Sequence, residues 1–205
     1  MMRWVSILVV LAVILVVLFV FLWQRPPGSV TLLVVHEDGS RNVGDYSLAT
    51  RSLSSRAGFD ASTMTIPTTE SFTLSDGSTV TVESAGIVKK TQSSGGIESL
   101  LVATPVAAFG RTPLAVWKDA TRIAWVNPAD RSLQVFERNS RGTYLPLYLN
   151  KDIHANSLGF TEDDTVLVVT KLGSENTEIM TVTLSTGAVQ SVSSVSGFAA
   201  IISAP

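Results

Sequence analysis

An unbroken apolar run near the start constrains this chain more than any other feature. Residues 4–23 lie between Arg3 and Arg25, and Ser6 is the only polar side chain among them. About 20 apolar residues at a rise of ~1.5 Å match a hydrocarbon core ~30 Å thick. A helix that is apolar all round suits lipid, because its own backbone satisfies its hydrogen bonds. Residues 1–25 are therefore predicted to form an N-terminal membrane anchor.

Two other interpretations of this run fit less well. A secretory signal peptide has an apolar region of only ~7–15 residues, followed by a small-x-small cleavage site, whereas this run is longer and ends Phe21-Leu22-Trp23-Gln24-Arg25. A buried core helix would need other elements to wrap it. The basic residues near the two ends of the run are nearly balanced. Because the large folded part follows the run, we predict a single-pass protein of the cell membrane with a cytoplasmic N-terminus and an extracytoplasmic C-terminal part.

The part after the anchor is weakly acidic and contains no cysteine. Beyond Arg25 there are 13 Lys and Arg against 17 Asp and Glu, which gives a net charge of −4. Such a surface is poorly suited to nucleic acid, so no nucleic-acid partner is expected. The absence of cysteine excludes disulfides, thiolate zinc sites and cysteine nucleophiles.

Residues 105–205 contain two similar units. Trp117 and Phe160 are 43 residues apart, and each precedes a polar turn and then a hydrophobic strand, at 123–126 and at 166–169. Each unit continues with a polar turn, another strand, a glycine turn and a last strand. Four short strands at a period of ~40–45 residues are typical of propeller blades.

These units resemble the repeats of WD-repeat proteins and of periplasmic propellers, in which an aromatic residue, a polar turn and a hydrophobic strand recur as F-S-P-D-G-x-x-[IL]-[AV]. The corresponding turns here are 118–121 and 161–164, without the proline and glycine of that pattern. The resemblance covers about residues 106–205, where 196–202 look like the first strand of a further blade. It implies two propeller-like units or an incomplete propeller.

Residues 26–104 are predicted to form a membrane-proximal β-sandwich-like domain. The stretches 65–67, 72–82 and 85–87 look like the second half of a PEGA domain, a small β-sandwich of bacterial surface proteins. An earlier blade is the alternative, because Phe72 lies 45 residues before Trp117. The predicted fold is thus an all-β ectodomain, a small β-sandwich plus two propeller-like four-stranded units, behind one transmembrane α-helix.

The sequence contains no recognisable catalytic motif. His36-Glu37 begins like a zinc-protease H-E-x-x-H, but position 40 is serine and the segment reads as a turn. His154 is the only other histidine, and neither a G-x-S-x-G elbow nor a nucleotide-binding loop occurs. We therefore predict no catalytic, cofactor-binding or metal-binding residues, no cofactor, no small-molecule substrate and no enzyme activity.

Two groups of side chains are candidates for an interface. The acidic run at 162–164 could suit calcium, although a solvated turn is favoured. In the strand 144–149, tyrosines alternate with leucines, so the tyrosines face solvent if the leucines point inward. The predicted interface residues are Tyr144, Tyr148, Glu162, Asp163 and Asp164.

The resulting functional prediction is a non-catalytic, membrane-anchored binding or scaffolding protein. It would contact the lipid bilayer through residues 4–23 and a protein partner, a second copy or a surface polymer through the rest. Two blades cannot close a ring, and a net charge of +4 over 111–151 against −4 over 157–205 suits head-to-tail contact. The same charges could instead attract the two units within one chain. Competing hypotheses for the function are a cell-envelope hydrolase with its site in 28–104, and the front part of a longer propeller protein.

Overall fold

The computed structural model describes residues 28–56, 61–64, 70–83, 86–103, 112–161 and 165–202. These residues form sixteen strands and one short 3₁₀ helix, Ala61–Thr63. The strands in chain order are β1 Ser29–Val35, β2 Arg41–Ser47, β3 Ser52–Ser55, β4 Ser71–Thr73, β5 Thr79–Glu83, β6 Ile87–Thr91, β7 Ile97–Val102, β8 Leu114–Trp117, β9 Arg122–Val126, β10 Leu133–Arg138, β11 Tyr144–Asn150, β12 Ser157–Phe160, β13 Val166–Leu172, β14 Asn176–Thr183, β15 Ala188–Ser196 and β16 Phe198–Ile201.

Every sheet contains four antiparallel strands, and in three of the four sheets these strands follow one another along the chain. Blade 2 is β4 to β7, blade 3 is β8 to β11 and blade 4 is β12 to β15. Blade 1 differs, because its strand order is β16-β1-β2-β3. Its first strand therefore comes from the end of the chain, with Leu32 opposite Ile201 and Val35 opposite Phe198. The pairing of β16 with β1 closes a ring. The chain is a four-bladed β-propeller.

The first strands of the blades, β4, β8, β12 and β16, lie next to the central axis and end at the same face. The Trp117 and Phe160 rings, at the ends of β8 and β12, are 6.3 Å apart. The Ser75 amide and hydroxyl, just after β4, donate to Asp119, just after β8. We call this the terminal face, because Gly28 before β1 and Ile202 after β16 also lie there. The opposite end is the loop face.

The hydrophobic core lies between blades. One cluster joins blades 2 and 3 around Trp125, which is 2% exposed and whose indole N–H donates to Gln134. A second cluster joins blades 3 and 4, and a third joins blades 4 and 1 around Leu32 and Ile179. Blades 3 and 4 are therefore buried on both sides, so neither could fold alone as a soluble sheet.

The fold corrects the predicted organisation of residues 26–104. No β-sandwich is present in the described residues, and the resemblance to a PEGA domain is not supported. β1 to β3 supply three strands of blade 1, and β4 to β7 form blade 2. The alternative of an earlier blade is the correct one. The head-to-tail contact was predicted on the premise that two blades form an open array. This premise is also wrong, because β16 closes the ring. The two oppositely charged units are the neighbouring blades 3 and 4.

The predicted anchor, residues 4–23, lies outside the described residues and stays a prediction. In the part of the chain that is described, no helix has the length and apolar character needed to cross a bilayer.

Candidate functional site

The two faces of the propeller differ in the length of their connections. On the terminal face, the strands are joined by turns of four or five residues, such as 48–51, 92–96 and 184–187. On the loop face, blade 1 is joined to blade 2 by residues 56–70, and blade 2 to blade 3 by residues 103–113. Long connections on a rigid scaffold are the usual carriers of binding residues.

A cavity of about 280 Å³ lies on the axis, and all four blades line it. Its wall is mainly apolar and aromatic, with Phe72 from β4, Trp117 from β8, Phe160 from β12 and Ile201 from β16. Gly159 also lines the cavity, and a Cβ there would lie 2.7 Å from Ile201 Cγ2. The missing side chain therefore allows β12 and β16 to approach closely.

Three polar residues line this cavity, namely Ser29, Thr31 and Glu70. Glu70 directly precedes β4 at the loop-face end and is 6% exposed. Thr31 of β1 also lines the cavity, and its hydroxyl donates to Asp45 Oδ1 at 2.8 Å. With its proton committed to Asp45, the Thr31 oxygen presents only acceptor lone pairs elsewhere.

One cation lies close to the aromatic wall without lining the cavity. The Lys118 ammonium sits 4.7 Å from the centre of a Trp117 ring, a cation–π contact at the terminal face. The cavity thus has a carboxylate at its loop-face end, and a lysine stands outside its terminal-face end.

The structure turns the two predicted interface tyrosines inward and the leucines outward. Leu145, Leu147 and Leu149 are 52%, 39% and 56% exposed, whereas the Tyr144 hydroxyl donates to the Ala120 carbonyl at 2.5 Å. A β-bulge at Leu147 places Pro146 opposite Phe136 and Tyr148 opposite Val135. The bulge sends Tyr144 toward blade 2 and Tyr148 toward blade 4. The prediction that the tyrosines of this strand face solvent is therefore wrong.

The other predicted residues do not converge on a site in the described part of the chain. His36 lies in the first loop-face turn, with Asn42 Nδ2 at 3.0 Å from its Nε2, and His154 is exposed before β12. Neither lines the cavity. Residues 162–164 lie outside the described residues, so their role at an interface stays a prediction. Among the described residues, no group of three His, Asp or Glu could hold a metal ion.

Sequence reasoning missed both Glu70 and Thr31. Glu70 stands two residues before Phe72, which did stand out through its spacing from Trp117. Thr31 lies within a run of apolar residues in β1. The available signal was the position of Glu70 just before the first strand of a repeat. Ring closure was needed to place Thr31 in the wall of the same cavity.

No protein-family model matches this sequence, and no curated protein matches it. Solved structures do resemble its fold. A candidate 6-phosphogluconolactonase from Bacteroides fragilis is 15% identical, with a TM-score of 0.46 over 85% of this chain and 57% of that one. TolB from Acinetobacter baumannii is 14% identical, with a TM-score of 0.46 over 86% of this chain and 46% of that one. The chain thus spans about half the length of these proteins.

The prediction that the chain is not an enzyme is corrected by these matches. They include the periplasmic gluconolactonase of Pseudomonas aeruginosa, 14% identical with a TM-score of 0.43 over 84% of this chain and 56% of that one. That protein is an enzyme, so the lack of a familiar catalytic motif is no ground for excluding catalysis on this fold. At these identities, no residue role can be carried across.

Proposed function

We propose that this chain is a membrane-anchored, extracytoplasmic propeller that binds a protein partner or a surface polymer through its loop face. The proposal rests on the difference in length between the connections of the loop face and those of the terminal face. The terminal face has only short turns, whereas the longest connections, 56–70 and 103–113, both lie on the loop face. Binding residues concentrate on such long connections because loops can vary without disturbing the sheets.

The membrane anchor predicted from the sequence is consistent with this difference between the two faces. Only residues 24–27 separate the apolar run from Gly28, which lies on the terminal face. Four residues span at most about 14 Å when fully extended. An anchor at 4–23 would hold the terminal face close to the bilayer and leave the loop face free for a partner.

The charges of the loop face indicate what kind of surface would fit it. In the described turns of this face, five exposed residues are acidic and two are basic. The acidic ones are Glu37, Asp38, Asp130, Asp152 and Glu175, and the basic ones are Arg131 and Lys151. A partner with a basic patch would be steered toward such a surface and would bind less tightly at high salt.

A site-directed photo-crosslinking experiment on the full chain in native membranes tests the proposal. A photo-reactive phenylalanine derivative would replace Asp152 on the loop face or, as the matched control, Arg141 in a terminal-face turn, since both positions are exposed. We expect a discrete adduct from position 152 that weakens with added salt, and none from position 141. No adduct from 152, or equal adducts from both, would contradict binding through the loop face.

A further inference from the structure

We propose that the terminal rim binds the lipid bilayer directly, through one exposed apolar side chain from each blade and two arginines. The terminal rim comprises the terminal-face ends of the four outermost strands and the turns that lead into them. Its partner is the headgroup region of a bilayer that contains anionic lipid. The inference rests on the proposed membrane anchor and orientation, and it goes beyond them because the folded domain itself contacts lipid.

The first argument is a feature that all four blades repeat. The outermost strands, β3, β7, β11 and β15, each begin at the terminal face. Within its first two residues, each of these strands carries an exposed large hydrophobic side chain. These side chains are Leu53, Ile97, Leu145 and Val189, which are 37%, 67%, 52% and 40% exposed. Because each comes from a different blade, the four surround the axis at one end of the ring.

The loop-face ends of the same strands lack this pattern. Val102 ends β7 and Leu149 lies near the end of β11, and both are exposed. In contrast, β3 and β15 end in the serines Ser55 and Ser196. Exposed apolar side chains that are scattered singly are normal on a protein surface, whereas a grouped set marks an interaction surface. Only the terminal rim has such a side chain on every blade.

The second argument is the charge of the outer turns, which join the last two strands of each blade. These turns are 48–51, 92–96, 139–143 and 184–187, and they contain Arg51 and Arg141 but no acidic residue. Both arginines are exposed, and neither has an ion-pair partner among the described residues. Basic side chains beside apolar ones suit a membrane surface, because the former attract anionic headgroups and the latter enter the boundary with the acyl chains.

The acidic residues of this face are balanced or lie nearer the axis. Glu98, at the start of β7, is opposite Lys90 of β6, and Lys90 also pairs with Asp76. Asp119 and the run 162–164, which is outside the described residues, fall between the first two strands of blades 3 and 4. That position is two strand spacings, about 10 Å, from the outer turns. Exposed charges are largely screened beyond ~8 Å at physiological salt, so the outer turns keep their basic character.

The third argument is the place where the chain enters the described fold. The Gly28 carbonyl accepts a hydrogen bond of 3.1 Å from the Leu48 amide, in the outer turn of blade 1. Residues 24–27 alone separate Gly28 from the apolar run, a distance of at most about 14 Å. An anchor would hold this turn, with Arg51 in it, at the bilayer surface. Contacts that are weak singly are then sufficient, because the tether gives the rim a high effective concentration at the lipid.

Fluorescence quenching of the full chain, with one chain in each nanodisc of phosphatidylcholine and phosphatidylglycerol, tests the contact. The native chain has no cysteine, so single cysteines can carry the fluorophore. Ile97→Cys and Val102→Cys form a matched pair on β7, at 67% and 68% exposed, and Leu145→Cys and Leu149→Cys form one on β11, at 52% and 56%. The quencher is a spin label near the top of the lipid acyl chain. Quenching should be roughly 3-fold stronger at positions 97 and 145 than at 102 and 149. Equal quenching within either pair would overturn the proposal.

A second quencher, a spin label on the lipid headgroup, separates contact from mere proximity. Quenching of positions 97 and 145 by the headgroup label but not by the acyl-chain label would overturn the lipid contact and leave the proposed orientation standing. No quenching by either label would overturn both. A chain that does not enter the nanodiscs would overturn the anchor and this inference with it.

Matched charge variants test the part of the arginines. Acyl-chain quenching at position 97 should increase with the phosphatidylglycerol content of the nanodisc and decrease with added salt. In Arg51→Gln/Arg141→Gln, this dependence on anionic lipid should fall by about half or more. The control Arg131→Gln/Lys151→Gln removes two exposed charges from the loop face and should keep the native dependence. An equal dependence in both double variants would overturn the role assigned to Arg51 and Arg141.

Discussion

Gly197 is the single residue that joins β15 to β16, and its backbone conformation depends on the absence of a side chain. Its φ is +84°, in the region that side chains rarely adopt. A Cβ at this position would also collide with the carbonyl oxygen of Val35 in β1. Glycine here therefore lets the last strand turn into the ring and pair with the first.

A matched pair of glycine substitutions separates the collision from the backbone strain. Gly39 has a φ of +80°, but a Cβ there would meet nothing within 4 Å. Gly39→Ala should lower the free energy of unfolding by about 1 kcal/mol, the cost of the left-handed conformation alone. Gly197→Ala should lower it by roughly 3 kcal/mol, because overpacking adds to the strain. Urea unfolding measures both, and equal losses would contradict the close contact between β16 and β1.

The two tyrosines of β11 offer a second comparison at the residue scale. The Tyr144 hydroxyl donates to the Ala120 carbonyl, whereas the Tyr148 hydroxyl is buried with no hydrogen-bond partner among the described residues. Tyr144→Phe should therefore destabilise the protein by about 1 kcal/mol. Tyr148→Phe should be neutral or slightly stabilising, because it removes a buried polar atom. A large loss in Tyr148→Phe would show that its hydroxyl has a partner.

Tyr144 also predicts a dependence of stability on alkaline pH. Burial raises its pKa, mainly by desolvating the charged form, while Arg138 opposes the shift and Glu98 adds to it. In the unfolded chain, the phenol releases its proton near the ordinary value of 10.0. Stability should therefore fall as pH rises above about 10, because the unfolded state ionises first. Urea unfolding between pH 9 and 11 should give a shallower decline in Tyr144→Phe than in the native protein, and identical slopes would contradict the prediction.

At the scale of elements, blades 2 to 4 share a bulge in their outermost strands. Leu100 in β7, Leu147 in β11 and Val192 in β15 are the extra residues, each on the strand that has no outer neighbour in its sheet. A bulge twists such an edge and disturbs its row of hydrogen-bonding groups. In β11, Pro146 further removes a donor. Both features oppose pairing of these edges with another chain.

Ring closure by β16 can be tested by cross-linking, because the native chain has no cysteine. Val35 and Phe198 are opposite each other across β1 and β16. The double variant Val35→Cys/Phe198→Cys should form an intramolecular disulfide on mild oxidation. Because the bond closes a very long loop, it should raise stability by about 2–4 kcal/mol. Mass spectrometry and thermal unfolding measure the two effects.

A control pair keeps one of the two cysteines and moves the other. In Val35→Cys/Gln190→Cys, the second cysteine lies on β15, which pairs with β14 and not with β1. This variant should not form the bond under the same conditions. Failure of the Val35 and Phe198 pair to cross-link in a folded protein would contradict the closed ring.

At the scale of the whole molecule, the sixteen strands from β1 to β16 alternate in direction, and this even number places both ends of the described chain on one face. Blade 1 contributes β1 to β3 before the chain reaches blade 2, and β16 returns to the starting point. An anchor before Gly28 would therefore hold the terminal face against the bilayer and leave the long connections of the loop face exposed.

This orientation gives a prediction about distance from the membrane. Ser140 lies in the terminal-face turn 139–143 and Ser174 lies in the loop-face turn 173–175, and both are exposed. A fluorophore on Ser140→Cys of the full chain in nanodiscs should be quenched by spin-labelled lipid headgroups. The same label on Ser174→Cys should be quenched much less. Equal or reversed quenching would contradict the proposed orientation.

The sequence alone determined the local elements and the repeat. Recurring polar turns and hydrophobic strands predicted most strands of blades 3 and 4, because those signals act between near neighbours. The strand β3 was missed, since all four of its residues are exposed and carry no alternation. The spacing of Trp117 and Phe160 predicted propeller blades, because each blade repeats the same local pattern.

Only the tertiary structure decided the number of blades and the content of the cavity. Closure joins β1 to β16, two segments at opposite ends of the described chain, and no local pattern encodes a pairing over that separation. The same closure places Thr31 and Ile201 in the wall of the cavity that Glu70 and Phe160 also line. In β11, the bulge at Leu147 reversed the direction expected from simple alternation, because one extra residue moves every following side chain to the other face.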